Sequence, residues 1–155
     1  MKKRKIYISK KVIKKMEKLT VKYNDTENGG YIFGKMNPEW VRVLDVSDAG
    51  RNAKRTFSKV EFDNDSLLEY VKEKLQINQF LIGTWHSHPR NYSLIPSKLD
   101  QSTMININNY FDSTHAPIFI ITGIHDGNVK FSIYKINKFG EVIKDMNYEI
   151  IDCEG

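Results

Sequence analysis

The sequence predicts an α+β fold, a mixed, curved β-sheet wrapped by about three helices. Three stretches carry apolar residues at helical spacing, each behind a Ser or Asp able to cap it. Between and after them lie short apolar or alternating runs bounded by Gly, Pro and Asn, the mark of strands joined by turns. The two kinds of element follow one another in mixed order, which is an α+β arrangement. At 155 residues, 40% hydrophobic and 28% charged, without repeats or low-complexity tracts, the chain reads as a single domain over 1–155. A chain of that size buries a core without metal staples, so a metal here would serve chemistry rather than folding.

Taken in order, Ser9 caps a helix through about Tyr23, with Val12, Ile13, Met16 and Leu19 on one face and lysines on the others. Glu27-Asn28-Gly29-Gly30 leads into an apolar strand, Tyr31–Gly34, and Glu27 stands at its mouth. After a turn at Met36-Asn37-Pro38, Trp40–Val46 alternates apolar and polar residues and is expected to pair antiparallel with that strand. A polar, basic loop over 48–56 precedes a short strand near Val60-Phe62. Asp63 or Asp65 then caps a second helix carrying Leu67, Leu68, Val71 and Leu75 and ending near Ile77-Asn78.

Phe80–Trp85 is a buried strand by its apolar content, with Gly83 where a neighbouring backbone can approach closely. Phe80 and Trp85 are expected in the core. Ser97 opens a third helix whose Leu99, Met104, Ile105, Ile107 and Phe111 supply apolar contacts. Strands over about Pro117–Thr122, Val129–Ile136 and Val142–Ile151 close the chain, with turns at Asp126-Gly127 and Phe139-Gly140.

Several function classes are set aside by composition. The one cysteine, Cys153, permits neither an internal disulfide nor a Cys-based zinc cluster and is expected to be inert, which fits a reducing cytoplasm. MKKRK is not followed by a continuous apolar stretch, and nowhere do about 18 apolar residues run together, so neither export nor a membrane span is expected. The net charge of +5 is uneven: residues 1–22 hold ten Lys/Arg against Glu17 alone. Such a helix is a solvated basic face or a surface for nucleic acid or an acidic partner; nucleic acid is the less expected reading.

The chemistry lies between Phe80 and Met104. His86 and His88, two apart at a strand end, project to one face and within reach of one metal ion. Pro89 ends the strand, and the chain turns so that the first turn of the next helix, with Ser97 and Asp100, faces the histidines. Two imidazoles, one carboxylate and an open position describe a catalytic zinc site with a bound water. Glu27 is the candidate base for that water, and Ser97 the candidate donor to an oxygen that becomes negative when a carbonyl is attacked. Each feature alone has a plainer meaning: a strand pair of histidines, a helix cap at Ser97–Asp100, a loop carboxylate at Glu27. His115 and His125 stand outside the pattern as surface or turn residues.

His86-Ser87-His88-Pro89, Ser97 and Asp100, with Glu27 upstream in an ENGGYIFG context, resemble the JAMM (JAB/MPN+) zinc metallopeptidase family, in its stand-alone prokaryotic branch. The resemblance implies a cytidine-deaminase-like α-β-α arrangement. It also implies zinc held by His86, His88 and Asp100, Glu27 as general base and Ser97 at the oxyanion. Family members cleave peptide or isopeptide bonds at the C-terminus of ubiquitin or ubiquitin-like proteins. By that likeness the expected partners are a ubiquitin-like protein or its conjugate and E1/E2-like conjugation enzymes. The GRNAKR loop and the WHSHP form incline the reading toward conjugation in an antiphage defence system rather than sulfur-carrier processing. The substrate tail is expected along a sheet edge near Val60 or the loop around Asn91 and Tyr92. A linear peptide substrate, or a binding module with a basic N-terminal helix and a vestigial metal site, are the competing expectations.

Overall fold

A computed structural model describes residues 3–152. The chain opens with β1 (Lys5–Ser9) and α1 (Lys10–Lys22), then β2 (Gly29–Met36), β3 (Trp40–Val46), β4 (Lys54–Arg55), β5 (Val60–Glu61) and α2 (Asn64–Gln76). It continues with β6 (Phe80–Ser87), α3 (Lys98–Asn108), a 3-10 turn at Ser113–His115, β7 (Ile118–His125), β8 (Asn128–Ile136), β9 (Val142–Lys144) and β10 (Tyr148–Ile151). Eight strands form one mixed sheet in the order β10-β1-β3-β2-β6-β7-β8-β9, and β4 and β5 form a separate ribbon. β1 runs parallel to both its neighbours, and β6 parallel to β7.

Chain connectivity requires this sheet to curl. β9 and β10 are opposite edges, yet only residues 145–147 join them. Eight flat strands would put the edges ~34 Å apart, whereas Lys144 to Tyr148 spans at most about 14 Å. The connector stitches the two ends together: Asp145 N–H donates to the Ile133 carbonyl at 2.8 Å, and Ile6 N–H to the Asn147 carbonyl at 3.0 Å. Phe131 and Tyr148 meet across the seam with ring centroids 5.6 Å apart.

Strand alternation divides the core between the two faces. On one, Ile118 and Ile120 of β7 join Ile6, Ile8, Ile32 and Trp85 beneath Val12 and Met16 of α1. On the other, Phe119 and Ile121 pack with Met104 of α3 and Tyr134. Ser9 caps α1 by accepting the Val12 N–H, Asp63 caps α2 and Ser97 caps α3. Gly83 is required by close packing, since a Cβ there would lie 1.8 Å from the Ile118 carbonyl oxygen. Part of the basic face of α1 is internal scaffolding: Lys15 reaches Asp45 at 2.9 Å and the Tyr70 hydroxyl at 3.2 Å.

Four local expectations differ. β1 is not evident in the sequence, because its Ile6 and Ile8, both fully buried, are the only aliphatic residues in a short lysine-flanked segment that runs straight into α1. The strand expected over Val142–Ile151 is two strands on opposite edges, parted at Asp145–Asn147. Phe80 is half exposed at the outer end of β6, while Trp85 is fully buried as expected. Leu68, Leu75 and Leu99 are also about half exposed, because α2 buries only Leu67 and α3 only Asp100 and Met104. Cys153 lies outside the described residues. Among the described residues no helix is long and apolar enough to cross a membrane.

Candidate metal centre

The site is assembled where the N-terminal end of β2 meets the C-terminal end of β6. Antiparallel pairing sets Gly29 opposite His86 and Gly30 opposite Trp85, which carries Glu27, just upstream, to the histidine end of β6. Glycine is needed in this register: a Cβ on Gly29 would lie 2.5 Å from the Trp85 carbonyl oxygen and 3.0 Å from the His86 Cβ. Although β6 ends at Ser87, the His88 N–H still donates to the Thr122 carbonyl at 2.9 Å, so both histidines stay tied to the sheet.

Asn91, at φ +66°, helps reverse the chain, a conformation that Asn tolerates better than most residues. The reversal lets the Ser93 carbonyl accept from His88 Nδ1. A carbonyl can only accept, so Nδ1 carries the proton and Nε2 is turned toward the site, the usual way a protein orients an imidazole ligand. Asp100 is held by a reciprocal cap: Ser97 Oγ accepts the Asp100 N–H at 3.0 Å and Asp100 Oδ2 accepts the Ser97 N–H at 2.8 Å. The helix cap and the site carboxylate are therefore one device. Ser97 spends a lone pair on it and keeps its hydroxyl hydrogen for another acceptor.

His86 Nε2 lies 3.1 Å from Asp100 Oδ1, His88 Nε2 lies 3.0 Å from Asp100 Oδ2, and the two Nε2 atoms are 3.2 Å apart. These distances run to different oxygens of Asp100, and one ligand atom from each of the three residues lies within 4.8 Å of the others. Two imidazoles and one carboxylate form a donor set that suits zinc and leaves one position open. Among the described residues these three form the group with metal-ligand geometry. Burial alone would raise the Asp100 carboxyl, but bonds from His86 and His88 outweigh it and hold the carboxyl far below its usual range. Burial opposes charge on His88 as well, and its bonds to Asp100 and Ser93 reverse the balance upward.

Glu27 is 7% exposed, and its backbone N–H donates to the Thr56 carbonyl at 2.8 Å. Burial raises its pKa, His86 opposes this and the nearby Asp100 charge adds to it. A cavity of about 420 Å³ opens beside the cluster, lined by Glu27, His86 and Asp100 at one end and by Leu81, Met104 and Ile107 further along. Val60 lines it, while Asn91 and Tyr92 do not. The structure thus brings Glu27, His86, His88 and Asp100 together, with Ser97 at the start of α3 beside them. His115 pairs instead with Asp112 at the surface, and His125 ends β7.

Residues not singled out from sequence hold the arrangement. Asn28 and Ser87, both buried, bond each other through backbone and hydroxyl, and Asn28 Nδ2 donates to the Leu19 carbonyl at 3.0 Å. Arg55 Nε donates to Asn28 Oδ1 at 2.8 Å while its guanidinium covers the Tyr23 ring at 3.9 Å. The signal available in sequence was a polar residue set into each strand end beside a site residue.

The model of the prokaryotic homologues of the JAB domain matches residues 9–134. Among solved structures, the protein DSY2949 from Desulfitobacterium hafniense, determined in solution, is similar in fold with a TM-score of 0.70 at 18% identity, over 95% of this chain and 93% of that one. Comparison with curated proteins returns no match. JAB domains have a peptidase-like fold and are often hydrolytic. Element order, the curled sheet and the match over most of its length agree: the chain belongs to the prokaryotic homologues of the JAB domain.

Proposed function

We propose that the protein is a zinc-dependent isopeptidase or peptidase that hydrolyses the bond after the C-terminal tail of a ubiquitin-like protein. The observation that carries this reading is Glu27 beside the His86–His88–Asp100 donor set at the end of an open cavity. That cavity follows β6 from His86 to Leu81. Five residues of extended strand cover ~17 Å, which accommodates an extended tail of similar length. Such a tail adds as a strand beside Val60, whose ribbon borders the cavity.

His86, His88 and Asp100 would hold the zinc, which when bound polarises the scissile carbonyl and makes a water acidic enough to lose a proton near neutral pH. A Glu27 carboxylate oxygen takes that proton as the water oxygen bonds to the carbonyl carbon. Glu27 then returns the proton to the departing nitrogen as the carbon–nitrogen bond breaks, leaving a free acid and a neutral amine. Ser97 Oγ–H donates to the carbonyl oxygen while it carries negative charge.

Removal of a ubiquitin-like protein from a conjugated target, in an antiphage defence setting, is the form of this activity we favour over sulfur-carrier processing. A panel tests it: zinc-loaded protein with a ubiquitin-like tail amide-linked to a lysine side chain, the same tail on a linear peptide, and unrelated peptides. Preferential cleavage of the lysine-linked tail supports the reading. Equal cleavage of unrelated peptides would reduce it to a general peptidase, and no cleavage by zinc-loaded protein would overturn it.

A further inference from the structure

The two loops that hold the site also carry an exposed aromatic pair. Phe57 follows Thr56, whose carbonyl accepts the Glu27 N–H, and Tyr92 precedes Ser93, whose carbonyl accepts from His88. The rings meet edge to face, with centroids 4.9 Å apart and planes at 85°. They remain 53% and 51% exposed, so the contact does not serve to hide them. Neither ring belongs to the core clusters or lines the cavity.

Their position relative to a scissile bond follows from the histidine. Ser93 grips His88 at Nδ1, the ring nitrogen remote from the Nε2 that faces Asp100. The loop carrying Tyr92 therefore stands behind His88, while the cavity opens on the flank of Glu27, His86 and Asp100. An amide lying across the donor set has two sides. With its acyl side in the cavity, its amine side leaves past His88, toward the loop of Tyr92 and its partner ring Phe57.

We infer that Phe57 and Tyr92 form the leaving-side subsite and that it takes the alkyl stem of the lysine whose Nε amide is cleaved. This inference rests on the hydrolase reading above. An edge-to-face pair leaves a ring face and a ring edge open to solvent, and a run of methylenes packs on such a surface while the lysine backbone stays in water. An acylated Nε is neutral, so the stem lies there without a charge to desolvate. A glycine amine offers no methylenes and gains nothing from the pair.

The test compares two substrates with the same acyl tail, one amide-linked to a peptide lysine side chain and one to glycine amide. In Phe57→Ala and Tyr92→Ala, the ratio of kcat/KM for the lysine substrate to that for the glycine substrate is expected to fall about tenfold, and in Tyr92→Phe to stay within about twofold. Equal losses on both substrates would show the rings only brace the loops and would overturn the inference. Zinc stoichiometry of each variant reports that its site is folded. In parallel, an acetyl-lysine peptide at millimolar concentration should shift the ring proton signals of Phe57 and Tyr92, and its alanine counterpart should not. If wild-type protein hydrolyses neither substrate, the hydrolase reading fails. The ring signals then decide the subsite, and unmoved rings overturn it.

Discussion

Asn28 and Ser87 hold each other twice: the Asn28 N–H donates to Ser87 Oγ at 2.9 Å, and the Ser87 N–H donates to the Asn28 carbonyl at 2.8 Å. Asn28 adjoins Glu27 and Ser87 lies between the two histidines, so this pair sets the carboxylate against the donor set. Ser87→Ala keeps the backbone bond but deprives a fully buried N–H of its acceptor. It is expected to destabilise the fold by about 1–3 kcal/mol and to lower turnover further than zinc content. Urea denaturation alongside metal analysis checks both; unaltered stability would remove Ser87 from this role.

Glu27→Gln preserves shape and removes the basic oxygen. Zinc binding is expected to persist while turnover falls by about 10²–10⁴, the usual contribution of a positioned acid–base group. Rate and metal content measured on one preparation decide it. Cleavage at the wild-type rate would take the base role away from Glu27.

His88→Ala and Asp100→Asn each remove a donor and are expected to reduce zinc from one per chain to a small fraction of that. In the wild-type protein, zinc at a hundredfold excess over its dissociation constant should stabilise the fold by about 2.7 kcal/mol, and a chelator should reverse the gain. Thermal melts with zinc and with chelator read the effect. A zinc-dependent rise of the same size in His88→Ala would place the ion elsewhere.

Gly29→Ala tests the register rather than the ligands. Its Cβ would press on the Trp85 carbonyl and the His86 Cβ, so His86 has to move or β2 has to separate from β6. Weakened zinc affinity is the expected result, measured by competition with a chromophoric chelator. An affinity equal to wild type would show that the strand ends adjust freely.

Acid stability is expected to depend on Asp45, far from the metal centre. Burial would raise its carboxyl, but bonds from Lys74, Lys15 and Tyr70 outweigh burial and lower it from 3.8 to about 2. A carboxyl lowered in the folded state adds stability above its unfolded pKa and loses it as pH falls through the folded value. The window is thus about pH 4 down to about pH 2. Allowing for solvent around Lys15, the contribution is on the order of 1–2 kcal/mol. Urea midpoints from pH 6 to pH 2 should fall more steeply for wild type than for Asp45→Asn; parallel curves would refute the assignment.

Much of the fold was legible because local signals were strong. Ser9, Asp63 and Ser97 cap helices where side-chain chemistry says they should, and the alternation in Trp40–Val46 reads directly as a half-buried strand. β1 and the division of the last strand were not legible. Ile6 and Ile8 are apolar enough to bury but too few to announce a strand, and they become one only with β3 and β10 on either side. Asp145–Asn147 looks like a polar interruption and is in fact the bridge between the two sheet edges.

The same division holds for the site. The donor types can be read from the chain alone: two imidazoles at a strand end, a carboxylate in the first turn of a helix, and a glutamate two residues before a glycine pair. Those identities follow from spacing, because period two along a strand and a helix cap are local geometry. That Glu27 comes to the side of His86 depends on folding, because it needs β2 to pair antiparallel with β6, nearly sixty residues apart in the chain. Folding likewise sets which nitrogen of His88 faces the site, through the Ser93 carbonyl, and where a substrate can lie, through the cavity along β6. Backbone carbonyls and open space have no letter in a sequence, so they enter the chemistry only once the chain has folded.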